Sequence, residues 1–169
     1  MKNIHLFGLL VIVIIFSGCL NRQQKANRAF LEEFKNTDFN HMRNVGFWIR
    51  GCNLSDICYV LVCSDHSNNC PQGTYIAEVD RKTKSIISRD CRLLKDSISF
   101  NKVKFDSLAL NFASFRVHSL SVDSLSNVYL STSQDQGTTL IKFVDTEHIT
   151  FPKNEKWRNI EGLWYERID

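Results

Sequence analysis

The spacing most able to support chemistry is Cys63-x2-His66-x3-Cys70, with Asp65 beside the histidine and Cys91 further along. Two thiolates, an imidazole and a carboxylate are soft and borderline ligands of the kind zinc prefers. No Cys-x2-Cys knuckle accompanies them, and no second histidine completes a known zinc spacing. Oxidation competes for the same thiols. With Cys52 and Cys58, the cluster reads first as a disulfide framework. Cys63–Cys70 closes the polar loop 64–69 and is the first expectation. Cys52–Cys58 is the second, and Cys70–Cys91 is the rival. Cys58 and Cys63 lie five positions apart on one predicted strand, about 17 Å, and so cannot bridge each other.

Other reactive groups are scattered. His41, His66, His118 and His148 fall in different segments, and each reads as a surface side chain. Neither a Gly-x-Ser-x-Gly elbow nor a His-Glu-x-x-His zinc helix occurs. Five glycines follow Cys19, none clustered into a phosphate loop. Glu161 and Glu166 form the nearest thing to a carboxylate pair for glycoside chemistry, but two acids on a charged segment read more simply as a solvated face. No catalytic residue, metal site or cofactor is assigned. Trp48, Trp157, Trp164 and Tyr165 are the one constellation suggestive of ligand contact, because aromatic faces stack on sugars and peptide groups. Adjacent Trp164 and Tyr165 must point to opposite faces if they share a strand.

The elements that would position these groups follow from hydrophobic period. Residues 21–35 carry Ala26, Phe30, Leu31 and Phe34 at helical spacing and predict a short amphipathic helix. Val45, Phe47 and Ile49 alternate with Gly46, Trp48 and Arg50, as in a strand ending near Gly51. Residues 56–63 are β-branched and aromatic, 74–80 alternate, and 84–88 follow a polar turn. In 106–118, Ser107, Asn111, Ser114 and His118 recur on one stripe, predicting the major helix with Asp106 as its N-cap. Residues 120–122 and 128–132 predict a hairpin, and 139–144 a further strand. Residues 156–168 read as a short helix plus strand, or a strand alone. Links this short exclude parallel crossovers. The expected fold is α+β: a mainly antiparallel sheet of about five to seven strands, one major helix on a face, and a short N-terminal helix.

The N-terminus decides the setting. Lys2 is the only charge before an apolar run at 6–16, interrupted by Gly8 alone, and Ser17 and Gly18 precede Cys19. That order is a secretory leader. Its apolar run is shorter than the about 20 residues that span a bilayer. Residues 16–19 resemble the lipobox of bacterial lipoproteins, although Phe16 stands where leucine is commonest. The resemblance implies cleavage before Cys19, lipidation of its thiol and anchoring in a bacterial cell envelope. Leu20 after the cysteine implies delivery to the outer membrane, facing the periplasm. The organisation expected is then a signal peptide at 1–18, a tether and short helix at 19–40, and a single domain at 41–169.

The chain carries a net charge of +3, with both signs dispersed, so no nucleic-acid partner is indicated. The expected function is that of a lipid-anchored, non-enzymatic module binding a protein or an envelope ligand. Two other classes fit less well: an immunity-type inhibitor of a toxin acting at the envelope, and a hydrolase or metal-dependent enzyme using His66 and the cysteine loop.

Overall fold

A computed structural model describes residues 22–63, 74–90, 102–134 and 137–168. Within them the chain forms one nine-stranded antiparallel sheet and two α-helices. Helix α1 spans Arg22–Phe34 and α2 spans Lys102–Ser114. The strands are β1 (Val45–Cys52), β2 (Ile57–Cys63), β3 (Thr74–Asp80), β4 (Ser85–Asp90), β5 (Ser119–Val122), β6 (Val128–Ser131), β7 (Leu140–Lys142), β8 (Trp157–Glu161) and β9 (Trp164–Arg167). Their order across the sheet is β4-β3-β2-β1-β5-β6-β7-β9-β8. The α+β class is as expected, but the sheet has more strands than the five to seven anticipated. The excess arises partly at the C-terminus, where 156–168 forms a hairpin, not a helix. Gly162, at φ 56°, supplies the turn that a β-carbon would strain.

Side-chain carboxylates and amides close the tight links. Asn53 Oδ1 accepts the Ser55 and Ile57 amides between β1 and β2. Asp80 Oδ1 accepts the Lys82 and Thr83 amides between β3 and β4. Asp123 Oδ1 accepts those of Leu125 and Asn127 between β5 and β6. Each is the local side-chain bond by which Asx residues favour turns over continued strand.

Register decides which residues meet the helices. Phe47 pairs with Val62 and Leu120, Val62 with Tyr75, and Leu120 with Leu130, which pairs with Leu140. All of these side chains lie on one face of the sheet and are buried. Both helices pack on that face. Phe112 of α2 stacks on Phe47 at 5.1 Å between ring centroids. Phe30 of α1 meets Trp164 edge-on at 5.9 Å and Phe115 at 6.4 Å. Asn27 is fully buried, its amide donating to the Thr139 carbonyl while Oδ1 accepts from the Thr132 and Thr139 hydroxyls. The core thus begins in α1, well before residue 41.

The major helix is displaced from its expected position. It begins at Lys102 and ends at Ser114, not at 106 and 118. Asp106 is not an N-cap: its carboxylate takes a bidentate contact from Arg89 (2.8 and 2.7 Å) and accepts from the Tyr75 hydroxyl. Arg116, at φ 55°, breaks the helical path beyond Ser114, so Phe115 and Val117 enter the core from an irregular segment. His118 therefore leaves the polar stripe. Its backbone bridges Ile49 and Ser131, while Ser107, Asn111 and Ser114 keep the exposed face.

Candidate functional site

Among the described residues, a concave feature lies where the C-terminal ends of α1 and α2 approach the β3–β4 turn. It is a cavity of about 530 Å³. Phe34, Val79, Leu110 and Ala113 supply apolar lining, while Arg81, Lys84 and Arg116 supply cations and Glu33 an acid. Local conformation explains how the cations arrive there. Lys84 and Arg116 both adopt positive φ, at 53° and 55°, which interrupts the regular path of the chain just before β4 and just after α2. Arg81 follows directly on the Asp80 turn, and its amide donates to the Asp56 carbonyl at 3.2 Å.

Asp56 organises the cationic rim. Its Oδ1 lies 3.6 Å from Arg81 Nη1 and its Oδ2 lies 4.0 Å from Arg116 Nη2. One carboxylate thus faces two guanidiniums. Burial pushes the Arg81 guanidinium below its ordinary range; Asp56 opposes that shift and Arg116 adds to it. Arg81 Nε is buried with no hydrogen-bond partner, a donor whose satisfaction would be worth about 1–3 kcal/mol. With Phe34 and Leu110 on one side and the guanidiniums and ammonium of Arg81, Lys84 and Arg116 on the other, the cleft can hold a group that is apolar on one side and anionic on the other.

The aromatic constellation divides. Trp164 is buried on the helical face, where its indole N–H donates to the Lys35 carbonyl. Tyr165 and Trp157 lie on the opposite face in a second cluster with Phe143 and Phe151. There Phe151 stacks on Trp157 at 5.8 Å and meets Tyr165 at 5.1 Å. Trp48 is half-buried on that same outer face but far across the sheet order, in β1. These four residues do not form one surface; Trp164 is a core residue and Trp157 and Tyr165 are largely engaged by packing. The two acids also separate. Glu161 reaches Lys35 at 2.6 Å, and buried Glu166 pairs with Arg158.

Cys52 and Cys58 are disulfide-bonded across the β1–β2 turn, the second of the pairings expected. Cys63 is also disulfide-bonded. Cys19, His66, Cys70 and Cys91 lie outside the described residues, as do the leader and the cysteine loop. Among the described residues no group of three or more histidine, cysteine, aspartate or glutamate side chains could hold a metal ion. No described helix is long and apolar enough to cross a membrane. Sequence reasoning missed the cleft because Asp56, Arg81 and Arg116 are brought together only by the fold. No family model, curated protein or solved structure matches this chain.

Proposed function

We propose that the chain is a lipid-anchored protein of the bacterial cell envelope, and that its domain is a binding module rather than an enzyme. The cleft between α1, α2 and the β3–β4 turn is its ligand site. One observation carries the binding reading: a cavity of about 530 Å³ with Phe34 and Leu110 on its wall is rimmed by the three cations Arg81, Lys84 and Arg116. A segment of a protein or envelope ligand presenting an acidic group beside an apolar one matches that lining. The leader ending at Cys19 supports the anchor and the compartment.

Crosslinking in native envelopes, with the intact chain as bait, tests the reading. A partner recovered with the parent chain should be lost with Arg116→Glu, which leaves the core untouched because that side chain is 75% exposed. Recovery of the same partners by both chains, or of none, would remove the cleft as the site. Cys19→Ser tests the anchor separately, since it should release the protein from the membrane fraction.

A further inference from the structure

We infer that the first two turns of α1, together with the adjoining end of the β8–β9 hairpin, form a docking surface for the anionic headgroups of the membrane that holds the anchor. This rests on the lipid-anchor reading above. Only two residues, Leu20 and Asn21, lie between Cys19 and Arg22, where α1 begins, which makes three Cα-to-Cα steps. Even fully extended they reach about 11 Å. Helix α1 cannot act as a loose tether, because Gln23, Asn27, Phe30 and Leu31 are buried against the sheet. A lipidated Cys19 therefore holds the folded domain itself against the membrane surface, with the N-terminal end of α1 nearest to it.

The charges at that end suit such a surface. Arg22, Lys25 and Arg28 are exposed on the first two turns, whereas Glu32 and Glu33 follow on the later ones. The Gln23 side chain donates to the Arg167 carbonyl at 3.4 Å, and the Ile168 amide donates to the Lys156 carbonyl at 2.9 Å. Those two bonds bring exposed Lys156 and exposed Ile168 to the same end of the molecule. None of the ion pairs among the described residues involves Arg22, Lys25, Arg28 or Lys156.

The order of charge along α1 is also the reverse of what the helix favours. Acids are preferred at an N-terminus and bases at a C-terminus, because the backbone dipole leaves partial positive and negative charge there. Helix α1 has no acid in its first turn and no base in its last. At the N-terminal end that preference is broken with no ion pair among the described residues to compensate it, which points to a demand from outside the domain. An anionic surface supplies it, and also sets the tilt: Arg22 and Lys25 face the headgroups, while Glu32 and Glu33 rise away. The cleft at Glu33 and Phe34, about 17 Å further along the helix axis, then opens away from the membrane.

Lysine footprinting on the intact processed chain tests this. The purified protein is weighed by mass spectrometry for acyl chains. It is then reconstituted into vesicles of phosphatidylcholine alone or mixed with phosphatidylglycerol, and labelled with a water-soluble amine reagent. Lys25 and Lys156 should label more slowly with phosphatidylglycerol present, by roughly fivefold for each basic group held at the surface. Lys35, at the other end of α1, should be unchanged. Raising salt to about 1 M should abolish the protection, since screening then acts within about 3 Å. The triple variant Arg22→Glu, Lys25→Glu, Arg28→Glu should lose protection at Lys156 while remaining folded and anchored. Equal labelling of Lys25 and Lys156 in both vesicle types overturns the docking surface. A mass without acyl chains overturns the anchor instead. In that case flotation of the unmodified chain with phosphatidylglycerol vesicles, but not with phosphatidylcholine, preserves the docking surface, and failure to float removes it.

Discussion

Replacement of Asn27 tests whether α1 is part of the folded domain, on which the account of the anchor depends. Asn27 makes three contacts across the helix–sheet interface: Nδ2 donates to the Thr139 carbonyl at 3.5 Å, and Oδ1 accepts from the Thr132 and Thr139 hydroxyls at 2.9 and 3.2 Å. Asn27→Ala removes all three. The Thr139 carbonyl keeps the Arg167 amide at 3.1 Å, and the two hydroxyls lie 3.3 Å apart and can pair with each other. What remains is lost packing and a partly satisfied buried group, for a cost of about 2 kcal/mol. A domain of this size loses about 2–4 °C in melting temperature per kcal/mol, so circular dichroism should show a fall of roughly 4–8 °C.

Asn27→Asp is the sharper version, because its effect must depend on pH. The carboxylate can still accept from both threonines, but it loses its donor and faces the Thr139 carbonyl from a buried position. Desolvation raises its folded-state pKa above the unfolded value near 3.9, by about 2 units. For a group raised in the folded state, stability is fully present below the unfolded pKa and is lost as pH rises through the folded one. Urea midpoints for the variant should therefore approach the parent at about pH 4 and fall behind by roughly 3 kcal/mol by about pH 6, then level off. Parallel stability curves for variant and parent from about pH 4 to 7, or an alanine variant melting within about 1 °C of the parent, would refute the burial of α1.

Three further outcomes follow from the fold. Phe112→Ala empties the position stacked on Phe47 and should cost about 3–5 kcal/mol in urea unfolding, the range for a large aromatic lost from a packed core. The double substitution Cys52→Ser, Cys58→Ser opens a bridge of sequence separation 6 and should lower stability by about 2.5 kcal/mol on the chain-entropy account, with no change in the near-ultraviolet signal of the core aromatics. Asp145 accepts the His148 ring nitrogen at 2.8 Å and the Glu147 and His148 amides at 3.0 Å each, contacts that hold its carboxyl below the ordinary range. A depressed carboxyl stabilises above its unfolded pKa and ceases to do so as pH falls through the folded value. The protection factor of the His148 amide, the exchange rate of an unstructured peptide at the same pH relative to its own, should therefore fall in acid, and Asp145→Asn should remove that dependence.

Local pattern carried the short elements. The apolar spacing of 21–35 marks α1 to within a residue at each end, and the alternation of 74–80 coincides with β3. The opposed directions of Trp164 and Tyr165 follow from strand geometry alone: one is buried on the helical face and the other lies in the outer aromatic cluster. What local pattern missed depended on distant partners. Asp106 has the composition of an N-cap, but its carboxylate is claimed by Arg89 and Tyr75, 17 and 31 positions away. The true start at Lys102 does carry a sequence mark, since Asn101 before it is a favoured N-cap type, but Asp106 competed for the same reading. The cleft was hidden for the same reason. Asp56, Arg81 and Arg116 come from a turn, a strand end and a helix exit, and no spacing in the chain announces that they converge.

The two ends of α1 are treated differently by the fold. At the C-terminal end no basic residue lies in the last turn, yet a cation is supplied by β7. Lys142 extends its amine to the Lys35 and Thr37 carbonyls at 3.5 Å each, over the Phe39 and Trp164 rings at 5.8 and 5.6 Å. Desolvation pushes that amine below its ordinary range, with Asp38 opposing, so burying a lysine there is costly and the carbonyls and rings must offset it. The domain thus commits a part-buried lysine to satisfying the negative end of its first helix. Nothing equivalent is done for the positive end, which the chain loads with Arg22, Lys25 and Arg28. If the N-terminal charges were incidental, the same fold that completes one end would have no reason to aggravate the other. Under the lipid anchor proposed at Cys19, an anionic surface would give that reason, because a helix beginning three residues after the anchored cysteine would have that surface beside it.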